Sequence, residues 1–411
     1  MEIINAINTK LKDTMRFRMV LVLCGTLAII LREPEMFLYP RIWAEEATVF
    51  YTFARHHSVL AIFTTAHVGY LTLFNSIVSI IQAKLFSVEN AAAVSTYMGF
   101  LVQLIPLYII AFTTHKFWNN PIKKMICVLI VISVMAPELY INTTNSHFIL
   151  GLITFLIMMI SPNTLSRFQK YFFRTLLFLG GLTGPASIFF TPTFLFKAYR
   201  EKNKEKYIQA GIITVCAIIQ ACVILYSIFY NNTYNRLSVT DFKTTRYRFI
   251  IDNFTLMPHS HLFDGQLFSI DHIILIGLLM SGFYAYLFLK NYRNSEYLIA
   301  LISFIIIAIL STLGSLHMGG GPRYAYIPTC ILLIVLMSQF FEPKRNYIAL
   351  FILVFCLSIN VFHYTTNINN WAYKPSYPKW RTEVAKWRLD STYNPKIHPA
   401  FYRDDEWRVK L

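Results

Sequence analysis

Charge is scarce in this chain. Only 14% of its 411 residues are Asp, Glu, Lys or Arg, where an ordinary soluble domain carries about a quarter. Together with 55% hydrophobic residues and a mean hydropathy of +0.48, that shortage excludes a water-soluble enzyme, a disordered chain and a solvent-exposed coiled coil. Nucleotide signatures are missing as well. No Walker loop, no dinucleotide fingerprint after a strand and no Gly-x-Ser-x-Gly elbow occurs, which argues against ATP hydrolysis and serine-hydrolase chemistry. The six cysteines (Cys24, Cys127, Cys216, Cys222, Cys330 and Cys356) lie inside apolar segments, with no disulfide framework and no metal-ligand spacing.

What is present points to lipid. The 35 Phe, 25 Tyr and 6 Trp suit a chain that lives in a bilayer and at its interfaces. The net charge of +16 forms no continuous basic face, so nucleic acid is not the expected partner. The basic residues instead fall in short segments between apolar runs, the pattern that holds loops on the cytoplasmic side. Lys10, Lys12, Arg16 and Arg18 precede the apolar run Met19 to Leu31, which has no small-residue cleavage site after it and reads as an uncleaved first helix.

A spanning helix needs about 20 apolar residues. Eleven segments are expected on that rule, at 19–37, 68–86, 91–113, 124–140, 148–160, 174–196, 208–230, 271–289, 296–316, 325–341 and 346–362. The fold class is therefore an all-α polytopic membrane domain over 1–362, with an amphipathic first outer loop (32–67), a second outer loop (231–270) and a small extracytoplasmic tail (363–411). Eleven single crossings place Lys116, Lys123, Lys124, Arg167, Lys170 and Arg174 outside, against the basic-inside tendency. A second solution removes the conflict: 68–86 does not cross, and 174–196 dips in and out, broken at Gly184-Pro185. In both solutions the N-terminus is cytoplasmic and the C-terminus extracytoplasmic.

Several polar clusters can carry chemistry. In the first outer loop Trp43, Ala47, Phe50, Tyr51 and Ala54 recur at helical spacing after Pro40. Glu45 and Glu46 then stand near a helix start, where negative charge is favoured in any case. As a functional pair, one is read as a general base toward an acceptor hydroxyl and the other as its orienting neighbour, because adjacent helix positions point about 100° apart. His317, Gly320, Gly321, Arg323 and Tyr324 belong to a glycine-rich loop where backbone can approach a ligand closely and an arginine can grip phosphate, or where the chain simply turns. Asn142 to His147 is polar and uncharged, suited to sugar hydroxyls or to a tight turn. His259, His261 and Asp264 form at most a weak metal pattern, and solvated or interfacial roles are preferred for them.

The ordered set of these motifs resembles the GT-C class of integral-membrane glycosyltransferases, and within it the bacterial and phage-type O-antigen glucosyltransferases that modify lipopolysaccharide. The resemblance rests on Tyr39-Pro40-Arg41-Ile42-Trp43-Ala44-Glu45-Glu46 with Phe50, Gly69-Tyr70-Leu71, Asn145 with His147, and Gly184-Pro185 with Pro192. Arg323-Tyr324 with Pro328 and the Trp-rich stretch from Trp371 to Trp387 complete it. It departs from the pattern in having Glu-Glu where an acidic pair ending in Asp is usual, and Thr183 where Ser is expected. The resemblance implies transfer of a single sugar, a hexose such as glucose, from a polyprenyl-phosphate donor to a glycan or glycolipid acceptor outside the cytoplasm. It also implies a bacterial inner-membrane location, with Glu45 or Glu46 as the base and Arg323 on the donor phosphate, assisted by Tyr324, Gly320 and Gly321. Trp43, Asn145, His147 and His317 are the expected sugar- or acceptor-binding residues. No cofactor is called for, and a divalent metal stays open. The rival readings are a translocase for lipid-linked sugars or polysaccharide, and a polysaccharide polymerase.

Overall fold

The computed structural model describes residues 12–67, 69–230, 270–313, 322–343, 346–366, 378–398 and 407–411. Among these residues the regular structure is helical, with three isolated backbone bridges and no strand. The principal helices are α1 (Met15–Arg32), α2 (Leu73–Ile80), α3 (Ala91–Phe112), α4 (Pro121–Ser133), α5 (Ser146–Met159), α6 (Arg167–Gly181) and α7 (Thr191–Glu201). They continue with α8 (Lys204–Tyr230), α9 (Ile270–Asn291), α10 (Ser295–Leu313), α11 (Pro322–Phe340), α12 (Tyr347–Thr366) and α13 (Trp380–Leu389). Four stretches, Val88–Phe112, Lys204–Tyr230, Arg323–Phe340 and Tyr347–Thr365, are long and apolar enough to cross a membrane. Large apolar side chains lie open on the perimeter, including Leu23 and Leu27 of α1, Ile218 and Leu225 of α8, and Phe351 and Phe355 of α12. An aqueous surface does not tolerate such a belt. The centre is formed by α5 and α11, whose residues from Ile149 to Met159 and from Ala325 to Met337 are almost completely buried.

Contacts sort the loops into two ends. At the first, Asp13 pairs with Lys124 at 3.0 Å, Lys116 with Glu342 at 2.8 Å, Lys197 with Glu296 at 2.8 Å, and Arg174 with Glu205. At the second, Arg32 donates to the Met135 carbonyl, Tyr364 to that of Ala28, and Arg323 pairs with Glu138 at 3.0 Å. All the basic residues that strain the eleven-crossing scheme therefore share one end with the N-terminal segment.

Two of the eleven expected segments do not form single long helices. Segment 68–86 contains only α2 and a π-helical turn at 81–85, and its polar residues at helical spacing, Thr72, Asn75, Ser76, Ser79 and Gln82, are buried. Asn75 donates to the Thr143 carbonyl, Ser76 to that of Ile62 and Gln82 to that of Ala91. Segment 174–196 starts at the first end beside Glu205 and returns to it at Lys197. Its break at 182–190 is held deep in the bundle by polar partners. Leu73 N donates to the Leu182 carbonyl and Gly184 N to that of Leu71, while the fully buried Gln220 amide of α8 bonds both Leu71 N and Leu71 O. Non-helical backbone is tolerated at such depth only when its polar groups are met by protein in this way. Among the described residues the four stretches of spanning length and hydropathy lie in α3, α8, α11 and α12.

The first end shows how lysines survive burial. Lys206 Nζ donates to the carbonyls of Met158 (2.6 Å) and Ile160 (2.7 Å), and Lys197 Nζ to that of Met159 (3.2 Å). Two ammonium groups thus meet the last carbonyls of α5, where the helix dipole is negative. Lys124 does the same for α3 through the Ala111 carbonyl at 2.8 Å.

Candidate functional site

The first outer loop enters the second end through Arg41. This buried residue exchanges backbone bonds with Thr96 Oγ1, donates from Nη2 to the Tyr140 carbonyl at 3.0 Å, and lays its guanidinium over the Trp43 ring at 4.5 Å. The chain then takes a conformation that L-residues avoid: Ala44 has φ +25°. Residues 46–51 form a π-helical turn before the α-helical turn 52–56. The expected apolar face is real, since Trp43, Ala47, Phe50, Tyr51 and Ala54 are all buried. They bury against protein. Strained backbone followed by a π-turn is a combination that persists where a side chain must be aimed.

The two glutamates part company here. Glu46 is 2% exposed. Its Oε2 accepts from Trp43 N at 2.8 Å, and its Oε1 accepts from Thr143 N and, at 2.7 Å, from Thr143 Oγ1. That buried carboxylate ties the first loop to the 138–147 turn. Glu45 is half-buried, makes no hydrogen bond to another described residue, and lies close enough to Arg323 for their charges to interact.

The partner turn is built around Glu138. Its carbonyl accepts from the side-chain amides of Asn142 (2.6 Å) and Asn145 (2.9 Å), and Asn142 Oδ1 accepts from Asn145 N at 3.0 Å. Asn145, expected on an acceptor sugar, is buried and commits its amide to this turn. Ile141 carries φ +48°, a second strained residue two positions before Thr143. The turn packs directly on Gly99 of α3, where an added Cβ would sit 2.8 Å from Asn142 N and 3.0 Å from the Ile141 carbonyl carbon. Both are backbone atoms that cannot swing away. Gly99→Ala is expected to cost about 1–3 kcal/mol and to loosen the Thr143–Glu46 link, visible as a lower melting temperature in detergent; an unchanged value contradicts the tight contact.

The remaining described candidates gather on the same end. Glu138 Oε2 accepts from Arg323 Nη1 at 3.0 Å, and the Arg323 guanidinium lies 5.4 Å from the Tyr324 ring centroid. Tyr324 meets Phe148 edge-on at 5.2 Å, and His147 stands beside Phe148 and 6.4 Å from the Tyr70 ring. Gly184, at φ +77°, leaves the room that His147 and Tyr70 occupy, since a Cβ there would meet them at 3.1 and 3.3 Å. Trp43, Glu45, Glu46, Asn145, His147, Arg323 and Tyr324 are thus brought into one connected region. His317, Gly320 and Gly321 lie outside the described residues, as do His259, His261 and Asp264. Among the described residues no group of three or more His, Cys, Asp or Glu is placed to hold a metal ion.

Sequence reasoning passed over Glu138, Arg41 and Thr143 as site residues. Glu138 had a usable signal, an acidic residue at the end of an apolar run in a chain with few acids. Arg41 stood unremarked within a quoted motif, and Thr143 had no signal beyond membership of a polar turn. Burial raises the Glu33 carboxyl above its ordinary value, against the pull of Arg41. Burial, with Arg41 adding to it, pushes the His398 imidazole down to about 3 against a bond to the Pro378 carbonyl, so His398 is neutral where the tail meets this loop. Comparison with protein-family models, with curated proteins and with solved structures finds no match for this chain.

Proposed function

We propose that this chain is a polytopic glycosyltransferase of the GT-C type, set in a bacterial inner membrane, with its first end in the cytoplasm and the Glu45 end outside. Concentration of the basic loops at the first end supports that orientation. The observation that carries the enzymatic reading is Glu45 itself. It is a half-buried carboxylate without a hydrogen-bond partner among the described residues, aimed by the strained Ala44 and standing near the cationic Arg323. An acceptor hydroxyl gives its proton to Glu45 as its oxygen bonds the anomeric carbon of a hexose such as glucose. The bond from that carbon to the phosphate oxygen breaks, and polyprenyl phosphate leaves with the electron pair. Arg323 neutralises the departing phosphate, exchanging its ion pair with Glu138 for one with the new anion. Glu46 and Thr143 hold the loop in register, so the protein contributes mainly alignment and charge. His147 and Tyr70 offer the aromatic and polar faces that a sugar needs, whereas Trp43, also expected there, is buried beneath Arg41.

The decisive experiment uses purified protein in proteoliposomes with a polyprenyl-phosphate hexose labelled in the sugar. A new glycosidic bond carrying one sugar supports the proposal. Label crossing the bilayer without bond formation indicates a translocase, and acceptance of oligosaccharide donors alone indicates a polymerase. Arg323→Ala is expected to raise the KM for the lipid-linked donor at least tenfold while acceptor KM stays within about twofold, given roughly 1.4 kcal/mol per tenfold change. Unchanged donor dependence rejects the phosphate role.

A further inference from the structure

The C-terminal tail does more than cover the second end. Its residue His398 pairs with the strand-like stretch just ahead of Glu45. Ala44 N donates to the His398 carbonyl at 2.5 Å, and His398 N donates to the Ile42 carbonyl at 3.3 Å. The strained residue beside Glu45 is thereby bonded to the tail on one side, and the Glu46–Thr143 link holds the other. The two segments also share a small core of their own, separate from the main bundle: Ile42, Ala47 and Tyr51 pack with Trp380, Val384 and Ile397. Trp380 Nε1 donates to the Val88 carbonyl at 2.7 Å, Arg381 to Asn90 at 3.0 Å, and Arg388 pairs with Glu89 at 3.1 Å. Those three bonds fasten α13 to the start of α3. Within the tail, the buried Glu383 carboxylate accepts from Lys386, Tyr393 and Lys396 N, which locks α13 to the segment leading to His398.

We infer that the tail is a positioning clamp for Glu45, in which His398 and α13 hold the Ile42–Ala44 backbone in the strained conformation that aims the carboxylate. A φ of +25° costs an alanine free energy in isolation, so it persists only while bonds on both sides enforce it. Removing the tail's grip releases Ala44 to ordinary φ and swings Glu45 out of line. The clamp rests on the reading of Glu45 as the base, but its mechanical half is measurable without activity.

The test uses the full-length chain with Val384→Asp, which places a charge in the shared core, and Trp380→Phe, which deletes the Val88 bond and part of one buried ring. Hydrogen–deuterium exchange of a peptide covering 42–52 should accelerate at least tenfold in Val384→Asp and less in Trp380→Phe, with a peptide covering 146–159 unchanged. In sugar transfer, kcat per folded molecule should fall at least tenfold in Val384→Asp while donor KM stays within about twofold. The same substitution in a Glu45→Gln background should cause no further loss, because both act through one group. Unchanged exchange at 42–52 overturns the clamp. Faster exchange with an additive loss in the double variant also overturns it, since the tail would then act elsewhere. If the native chain transfers no sugar, the enzymatic reading fails, and the exchange result alone decides whether the tail holds the loop. Should Val384→Asp not fold, a Trp380→Phe chain that leaves 42–52 exchange unaltered overturns the proposal.

Discussion

Glu45→Gln is expected to reduce sugar transfer by roughly a hundredfold or more, since a positioned general base contributes about 10²–10⁴-fold, and to leave the melting temperature unchanged. The substitution keeps shape and removes only the capacity to take a proton. The Glu45 carboxylate makes no hydrogen bond to another described residue, and its charge meets only that of Arg323, itself already paired with Glu138. Glu46→Gln should behave in the opposite way. Its two oxygens accept from Trp43 N, Thr143 N and Thr143 Oγ1, and an amide offers one oxygen and one NH₂ in their place. One donor would then face another donor inside the protein, at about 1.5–3 kcal/mol for a lost bond to a charged group. Glu46→Gln is thus expected to lower the melting temperature and the yield of folded protein, with transfer per folded molecule falling less than in Glu45→Gln. Full transfer by Glu45→Gln, measured by mass analysis of the product glycan, rejects the assignment of the base.

Lys197→Met should produce the largest loss of stability, together with a weaker pH dependence below pH 6.5. Lys197 is 1% exposed and bonds Glu296 at 2.8 Å, Glu201 at 3.3 Å and the Met159 carbonyl. Removing one partner of a buried pair costs about 3–5 kcal/mol, and the partial exposure of Glu296 places this case near 3 kcal/mol. His115, in the loop after α3, reports the change. Burial pushes its imidazole down to about 4, with the Lys197 charge assisting and the bond to Glu296 opposing. A base whose folded pKa is depressed leaves native stability intact above its unfolded value of about 6.5. That stability is lost as pH falls from there toward 4, because the unfolded chain takes up the proton first. Without Lys197, the carboxylate of Glu296 is left to His115, whose pKa rises. The variant should therefore lose less stability than the native protein as pH falls from 6.5 toward 4. The same slope in both proteins would show that the three groups are not coupled.

Much of this architecture is legible in the residues. Apolar runs of spanning length define the helices because backbone polar groups in hydrocarbon must be satisfied within the segment. Clustered lysines and arginines identify one end, and the loop around Glu45 and Glu46 stands out because acids are so few. The polar stripe of 68–86 and the Gly184-Pro185 break already allowed a path without crossings there. They were ambiguous because a stripe facing the bundle and a stripe facing an interface have the same period. Contacts made by Asn75, Ser76 and Gln220 across long sequence separations resolve it.

The sequence by itself determined an all-helical, lipid-compatible chain with basic clusters between its apolar runs and a pair of adjacent glutamates in its first outer loop. Those properties follow from local periodicity, hydropathy and charge, and each is summed over neighbouring residues. Only the tertiary structure decided which glutamate is engaged. That choice depends on Thr143, 97 residues away, on the φ of Ala44, and on a tail more than 350 residues downstream that bonds the backbone beside it. Adjacent side chains in a turn differ only in direction, and direction is set by what packs against them. No pattern within the loop contains that information.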